Sequence, residues 1–154
     1  MRLLKSLGFV LVVCLLFTSE KCESGKYQFS EETEIEMRTT ACFGRCPVYT
    51  IKINGQGGAS FNGKMFTEKE GRHTKRFAAG EVNALIREFE KADFWSFENE
   101  YTAEVTDLPT TYLIFKHDGQ QKKIKMYYGY PDKLKELAGY VEKAAESEGW
   151  EKVD

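Results

Sequence analysis

The stretch around which the fold is organised is Ala41–Tyr49, which reads ACFGRCPVY. It contains Cys42 and Cys46, and the other two cysteines of the chain lie within its first 24 residues. A polar segment with alternating apolar residues precedes the stretch, and a longer series of alternating segments follows it. The stretch therefore marks the point where a first strand ends and a patterned series of strands begins.

Alternation of apolar and polar residues predicts strands on both sides of this stretch. The predicted strands are 33–40, 48–53, 58–61, 64–68, 72–77, 111–116 and 121–128. A type I′ hairpin turn needs positive φ at both of its central residues, which Asn-Gly and Asp-Gly pairs supply. Hairpin turns are therefore predicted at Asn54-Gly55, Asn62-Gly63 and Asp118-Gly119.

Two segments of the chain change to helical spacing. A helix is predicted over about 80–92, because its apolar residues fall on one face: Val82, Leu85, Ile86 and Phe89. Pro131 suits the first turn of a second helix, whose predicted buried stripe is Leu134, Leu137, Ala138, Val141 and Ala145. The order of elements predicts an α+β fold, an antiparallel β-meander or sheet with two α-helices packed on one face.

Composition limits the classes of function. A chain of 154 residues suits one domain with its own core, and a net charge of -2 argues against general nucleic-acid binding. With 2 histidines, a multi-histidine metal site is not expected. The segment 58–64 matches the skeleton of a phosphate-binding loop, but Met65 stands where a magnesium-binding Ser or Thr is required. No cofactor, metal site or catalytic residue is predicted.

Residues 1–24 have the pattern of a signal peptide. Arg2 and Lys5 supply the positive start, and Leu7–Phe17 is an apolar run too short to span a membrane well. The segment that follows is polar. The chain is therefore predicted to be exported to the periplasm, the cell surface or the medium, with a permanent membrane anchor as the alternative.

The predicted cleavage lies near Ser24, where small residues precede the site. A lipid anchor through Cys22 is a second alternative, although Lys21 before it does not fit a lipoprotein signal. The predicted organisation is a signal peptide, a flexible lead-in over 25–32 and a single α+β domain over 33–151.

Cys42 and Cys46 are predicted to form a structural disulfide. Export favours oxidation, and Gly44 allows the loop between the cysteines to curl. A redox-active pair stays open as an alternative, although such pairs usually have two intervening residues and stand at a helix N-terminus. A metal site would need two further ligands, and the sequence offers no clear donor cluster.

Four residues that flank the hairpin at 111–128 are candidates for a ligand-facing surface: Tyr101, Asp107, Tyr127 and Tyr128. Tyrosine combines apolar area with a hydrogen-bonding tip, and a tyrosine-rich wall suits a sugar or a peptide. The alternative is that these aromatic residues are half-buried and pack the second helix. The same hairpin carries lysines that either form a solvated face or contact an acidic glycan or partner: Lys116, Lys122, Lys123 and Lys125.

The motif ACFGxCPxY at 41–49 resembles the opening signature of a bacterial exported domain family of unknown function. Further matching motifs are Asn54-Gly55, Phe94-Trp95, Thr106–Pro109 and Tyr127–Pro131. The resemblance covers about 33–151 and implies a domain boundary and export, but no activity. The first functional hypothesis is a non-catalytic exported domain that binds a protein or glycan partner. The alternative is a thiol–disulfide redox protein that uses Cys42 and Cys46.

Overall fold

The structure is a computed structural model, and it describes residues 25–153. The strands are β1 (Glu34–Thr39), β2 (Val48–Asn54), β3 (Gly58–Met65), β4 (Gly71–Arg76), β5 (Glu100–Tyr101), β6 (Thr111–His117), β7 (Gln120–Met126) and β8 (Glu151–Lys152). The helices are α1 (Ala79–Lys91), α2 (Asp132–Glu146) and a short 3₁₀ helix (Phe94–Ser96). The predicted signal peptide and the Cys22 anchor lie outside the described residues. Within the described part, no helix has the length and apolar character needed to cross a membrane.

The strands form one sheet in the order β5-β7-β6-β1-β2-β3-β4-β8. Neighbouring strands are antiparallel except for β5 and β7, which are parallel. β1 lies in the interior of the sheet, where Met37 pairs with Ile51 on one side and with Leu113 on the other. The predicted α+β fold is confirmed.

Both helices pack on the same face of the sheet and enclose one hydrophobic core. The predicted helical stripes are largely confirmed, since Val82, Ile86 and Phe89 are buried on α1. Leu85 is only half-buried. α2 begins directly after Pro131, whose fixed φ fits this position, and its buried residues are Leu134, Leu137, Val141 and Ala145.

The turn predicted at Asn62-Gly63 is wrong. β3 continues through both residues, and Asn62 pairs with Thr50 in the neighbouring strand. Gly63 is needed for a different reason, because a Cβ atom there would lie 1.9 Å from the carbonyl oxygen of Lys69. The turn between β3 and β4 therefore folds back against the strand, and the separate strand predicted at 64–68 does not form.

The other two predicted hairpins occur where the sequence places them. Asp118 and Gly119 have φ values of 49° and 74°, so this turn has the positive φ values of a type I′ turn. The hairpin between β2 and β3 differs, because its positive φ lies at Gly57 rather than at Asn54 and Gly55. A longer loop therefore joins these two strands.

The segment 25–32, for which the sequence predicts flexibility, contacts the helix side of the domain. The Tyr27 hydroxyl donates a 2.6 Å hydrogen bond to the carbonyl of Phe77. The Phe29 ring meets the ring of His117 edge-on, with 5.7 Å between centroids. Within residues 25–153, the opposite face of the sheet is left uncovered by this segment.

Candidate functional site

The sheet face opposite the helices is called the open face. Its residues form three rows that run across the strands from β7 to β4. In the first row are Lys125, Tyr112, Arg38, Thr50, Asn62 and Arg72. The second row contains Lys123, Ile114, Glu36, Lys52, Ser60 and Thr74. The third row contains Gln121, Lys116, Glu34, Asn54, Gly58 and Arg76.

The open face is strongly basic. Its eight basic residues are Arg38, Lys52, Lys64, Arg72, Arg76, Lys116, Lys123 and Lys125. Its four acidic residues are Glu34, Glu36, Glu100 and Glu151. Among residues 25–153, eight cations against four anions give this face a charge of +4, whereas the whole chain has a net charge of -2. Positive charge is therefore concentrated on one side of an acidic chain.

Glu36 lies at the centre of the open face and is 4% exposed. Its carboxylate is paired with the guanidinium of Arg38 and lies 3.0 Å from the ammonium of Lys52. Burial acts to raise the pKa of Glu36, but the hydrogen bonds from Arg38 and Lys52 outweigh burial and hold that pKa below its usual value. The buried carboxylate therefore fixes two of the surface cations in position.

A shallow depression of about 550 Å³ lies beside this carboxylate on the open face. Four cationic side chains line it: Arg38, Lys52, Lys64 and Arg72. The hydroxyl and amide groups between them belong to Thr50, Ser60, Asn62 and Thr74. Cations and neutral hydrogen-bond donors that converge in this way suit a carboxylate, sulfate or phosphate group.

The lysines of the β6–β7 hairpin do not all share this face. Lys116, Lys123 and Lys125 lie on the open face, and the Lys123 ammonium sits 4.3 Å from the centre of the Tyr112 ring. Lys122 points to the helix side, where its ammonium donates a 2.7 Å hydrogen bond to the carbonyl of Trp95. The expectation that four lysines form one solvated group is therefore wrong for Lys122.

The predicted ligand-facing residues lie near the end of β7 that adjoins β5. Tyr101 accepts backbone hydrogen bonds from Tyr127 and Tyr128 through its carbonyl group. The Tyr127 hydroxyl donates to the carbonyl of Val105, at 2.7 Å, whereas Tyr128 is 51% exposed. Asp107 is also exposed. The Tyr127 hydroxyl therefore holds the preceding loop. The ligand-facing role of these four residues stays a prediction.

Cys42 and Cys46 lie at disulfide-bonding distance, with Cα atoms 5.7 Å apart. Thr39 closes the base of this cysteine loop, since its hydroxyl donates to the carbonyl of Pro47, at 2.7 Å, and accepts from the N–H of Tyr49, at 3.0 Å. The loop therefore fixes how β1 is followed by β2. Within residues 25–153, no group of three or more His, Cys, Asp or Glu residues could hold a metal ion.

The Cys42→Ser, Cys46→Ser double variant is expected to fold and to lose roughly 2 kcal/mol of stability, because the bond closes only a short loop. Thermal unfolding followed by circular dichroism measures the loss. An unfolded wild-type chain that begins at Gly25 is expected to show no reactive thiol in a thiol titration. Two free thiols per chain would contradict the disulfide and support the redox or metal alternative.

A family model described as a domain of unknown function (DUF6438) matches residues 33–145. The chain belongs to the DUF6438 family. No curated protein and no solved structure matches the chain. The matched region of the DUF6438 domain begins just before β1 and ends in the last turn of α2, so it contains the cysteine loop, α1, nearly all of α2 and the open face except Glu151.

Two features of this DUF6438 domain were missed by the sequence analysis. The first is the burial of Glu36. Its alternation with Ile35 and Met37 correctly indicates that Glu36 faces away from the helices, but alternation does not show that the neighbouring strands cover it. The second is the basic open face as a whole. Strand alternation places each of its residues outward, but only the strand order brings them together.

Proposed function

We propose that this chain is an exported, non-catalytic domain whose open face binds an acidic polysaccharide. The observation that carries the proposal is the charge of +4 that residues 25–153 place on the open face, in a chain whose net charge is -2. Complementary charge attracts a polyanion and raises its local concentration near the face. The depression beside Glu36 supplies a place where one anionic group of the polymer is bound directly.

A polymer fits the spread of the cations better than a small anion does. The first row begins at Lys125 and ends at Arg72, across six adjacent strands. Adjacent strands are spaced by about 4.8 Å, so this row spans about 24 Å. A ligand that contacts both ends of the row is therefore several sugar units long.

A polysaccharide also fits the surface chemistry better than an acidic protein does. Protein interfaces usually have an apolar core and are depleted in lysine. The open face instead has exposed lysines, with hydroxyl and amide groups between them. Ile114, an apolar residue of this face, is only 7% exposed and therefore offers little apolar surface. Sugar hydroxyls and carboxylates match these groups directly.

Two observations support the export part of the proposal. The first 24 residues have the charge and apolar pattern of a signal peptide. The close pairing of Cys42 with Cys46 is typical of proteins in oxidising compartments. Mass spectrometry of the exported protein is expected to find a chain that begins near Gly25, whereas a diacylglycerol group on Cys22 would support the lipoprotein alternative.

Binding to a carboxylated and a sulfated polysaccharide, with neutral dextran as the reference, tests the proposed function. The open-face variant combines Lys64→Gln, Lys116→Gln and Lys123→Gln. The matched control removes the same charge from the helix side through Lys26→Gln, Lys133→Gln and Lys135→Gln. Affinity of the wild-type protein for the acidic polymers is expected to fall as salt rises. The open-face variant is expected to lose about tenfold or more in affinity, and the control less than about twofold.

Three results would overturn the proposal. The first is the absence of binding to either acidic polysaccharide at low salt. The second is an equal loss in the open-face variant and the control, which would mean that only net charge matters. The third is tighter binding to DNA or to polyglutamate than to the polysaccharides, which would assign the face to a different class of polyanion.

The redox alternative has less support from the geometry. Low-pKa redox cysteines usually stand at a helix N-terminus, whereas Cys46 is followed by Pro47 and then by β2. Turnover in an insulin-reduction assay would restore this alternative.

A further inference from the structure

A second surface lies on the helix side of the sheet, beside the cysteine loop. It is a cleft of about 480 Å³ between the paired ends of β2 and β3, the turn that follows β3 and the C-terminal half of α2. Its walls include Pro47, Tyr49, Phe61, Phe66, Glu142 and Glu146. No residue that lines the depression on the open face lines this cleft except Phe61.

Tyr49 presents a polar group to this cleft that the described chain does not use. The residue is 7% exposed, and its ring stacks on Phe61 with 5.2 Å between centroids. Its backbone N–H donates to Thr39, whereas none of the hydrogen bonds among residues 25–153 involves its hydroxyl. Because no fully buried side-chain nitrogen or oxygen in that range lacks a partner, this hydroxyl reaches solvent at the cleft. A tyrosine hydroxyl at such a site normally has a partner. The hydroxyl is therefore available to a bound group.

Two carboxylates face the same space. Glu142 and Glu146 are exposed and stand one helical turn apart on α2, so both reach the mouth of the cleft. Burial, and after it the negative charge of these two residues, raises the pKa of Tyr49. Its hydroxyl therefore stays neutral, and its oxygen can accept a hydrogen bond.

The aromatic walls are suited to a cation. Phe66 is half-exposed and has a φ of 55°, a conformation that bulky residues rarely adopt. The chain already places one alkylammonium group at this site, because the Lys69 ammonium lies 5.6 Å from the centre of the Phe61 ring. Aromatic faces attract ammonium groups through their quadrupole. A ligand cation that lies beside Tyr49 in this cleft would face the carboxylates of Glu142 and Glu146.

We infer that this cleft binds a primary alkylammonium group, with Glu142 and Glu146 supplying the charge, Tyr49 accepting a hydrogen bond and Phe66 covering the alkyl chain. The carboxylates favour a cation over a neutral or anionic group, and the aromatic side chains favour an aliphatic stem beside it. Such a group is found on free diamines and on lysine side chains. The inference is independent of the open face, because the two surfaces lie on opposite sides of the sheet.

Titration of the whole domain with cadaverine, followed by NMR chemical-shift changes, tests the inference. Shifts are expected at the backbone amides of Tyr49, Phe66 and α2. Nα-acetyl-lysine methylamide distinguishes a lysine source from a free diamine, and its Nε-acetylated form is the uncharged control. The uncharged form is expected to give no shifts at these residues.

Two variants remove the proposed contacts while preserving the fold. The Glu142→Gln, Glu146→Gln pair is expected to weaken amine binding by about tenfold. Tyr49→Phe keeps the ring stack and is expected to weaken binding by about threefold to tenfold, through loss of one hydrogen bond. The matched control is the Glu136→Gln, Glu148→Gln pair, of which Glu136 lies on α2 and Glu148 follows it. This control is expected to change binding by less than about twofold.

A variant that binds more tightly provides a further test, because damage to the fold would weaken binding rather than strengthen it. Lys69→Met removes the competing ammonium and keeps a flexible apolar side chain, so amine affinity is expected to rise by about threefold. The inference is overturned if wild-type amides do not shift with amine, if the uncharged control shifts them equally, or if Lys69→Met binds more weakly than the wild type.

Discussion

Replacing Phe89 by alanine is expected to lower the free energy of unfolding by about 3–5 kcal/mol. The side chain is 0% exposed, and its ring centre lies 5.3 Å from that of Phe94 and 5.1 Å from that of Phe115. These contacts join α1 to the 3₁₀ helix and to β6. Removal of the ring leaves a cavity in a place where three elements meet, so the surroundings cannot easily collapse.

Leu85→Ala is the matched control for this prediction. Leu85 lies on the same apolar stripe of α1 but is only half-buried, beside the groove between the helices. Its truncation is expected to cost about 1 kcal/mol. Urea denaturation followed by fluorescence measures both variants. Equal losses in the two variants would mean that Phe89 is not the centre of the core.

Replacing Glu36 by glutamine is expected to cost about 2–3 kcal/mol, because it breaks charge-assisted hydrogen bonds to Arg38 and Lys52 at a buried position. Both cations are about half exposed, so water compensates part of their loss. Glu34→Gln is the control, since Glu34 is more exposed and lies 3.3 Å from Lys52. This control is expected to cost less than about 1 kcal/mol.

The same carboxylate sets a pH dependence whose sign follows from its lowered pKa. The folded state binds the proton of Glu36 less tightly than the unfolded state does, so the stabilisation is fully present above the usual pKa of about 4.5. It is lost as the pH falls through the lower folded value. As the pH falls below about 5, the wild type is therefore expected to lose more stability than Glu36→Gln. Urea denaturation at each pH measures the free energy of unfolding of both proteins. Parallel curves for the two proteins would contradict the assignment.

Local patterns predicted most of the fold. Period-two alternation correctly located β1, β2, β6 and β7, and helical spacing located α1 to within one residue and the start of α2 directly after Pro131. The Asn62-Gly63 pair predicts a turn because glycine readily adopts positive φ. Glycine is also required where another part of the backbone comes too close to leave room for a Cβ atom, and this is its role at position 63. The close approach comes from the carbonyl of Lys69, which strand alternation cannot reveal.

The candidate sites were less predictable, because they depend on contacts between distant parts of the chain. Alternation alone separates Lys122 from its neighbour Lys123, and the sequence could have revealed this difference. The basic open face instead depends on the order of the strands. The cleft brings Tyr49 together with Glu142, which lies almost a hundred positions later, and no local motif links them.

The two strands at the margins of the sheet contain only two residues each, β5 at one end and β8 at the other. Long exposed edges invite pairing with another chain, and short edge strands reduce this risk. β8 covers part of β4, and the adjacent Trp150 packs against Phe61 and Phe77. Both features lie beyond residue 145, where the family match ends. The cover of the β4 edge therefore depends on residues outside the matched region, whereas β5, at the opposite edge, lies inside it.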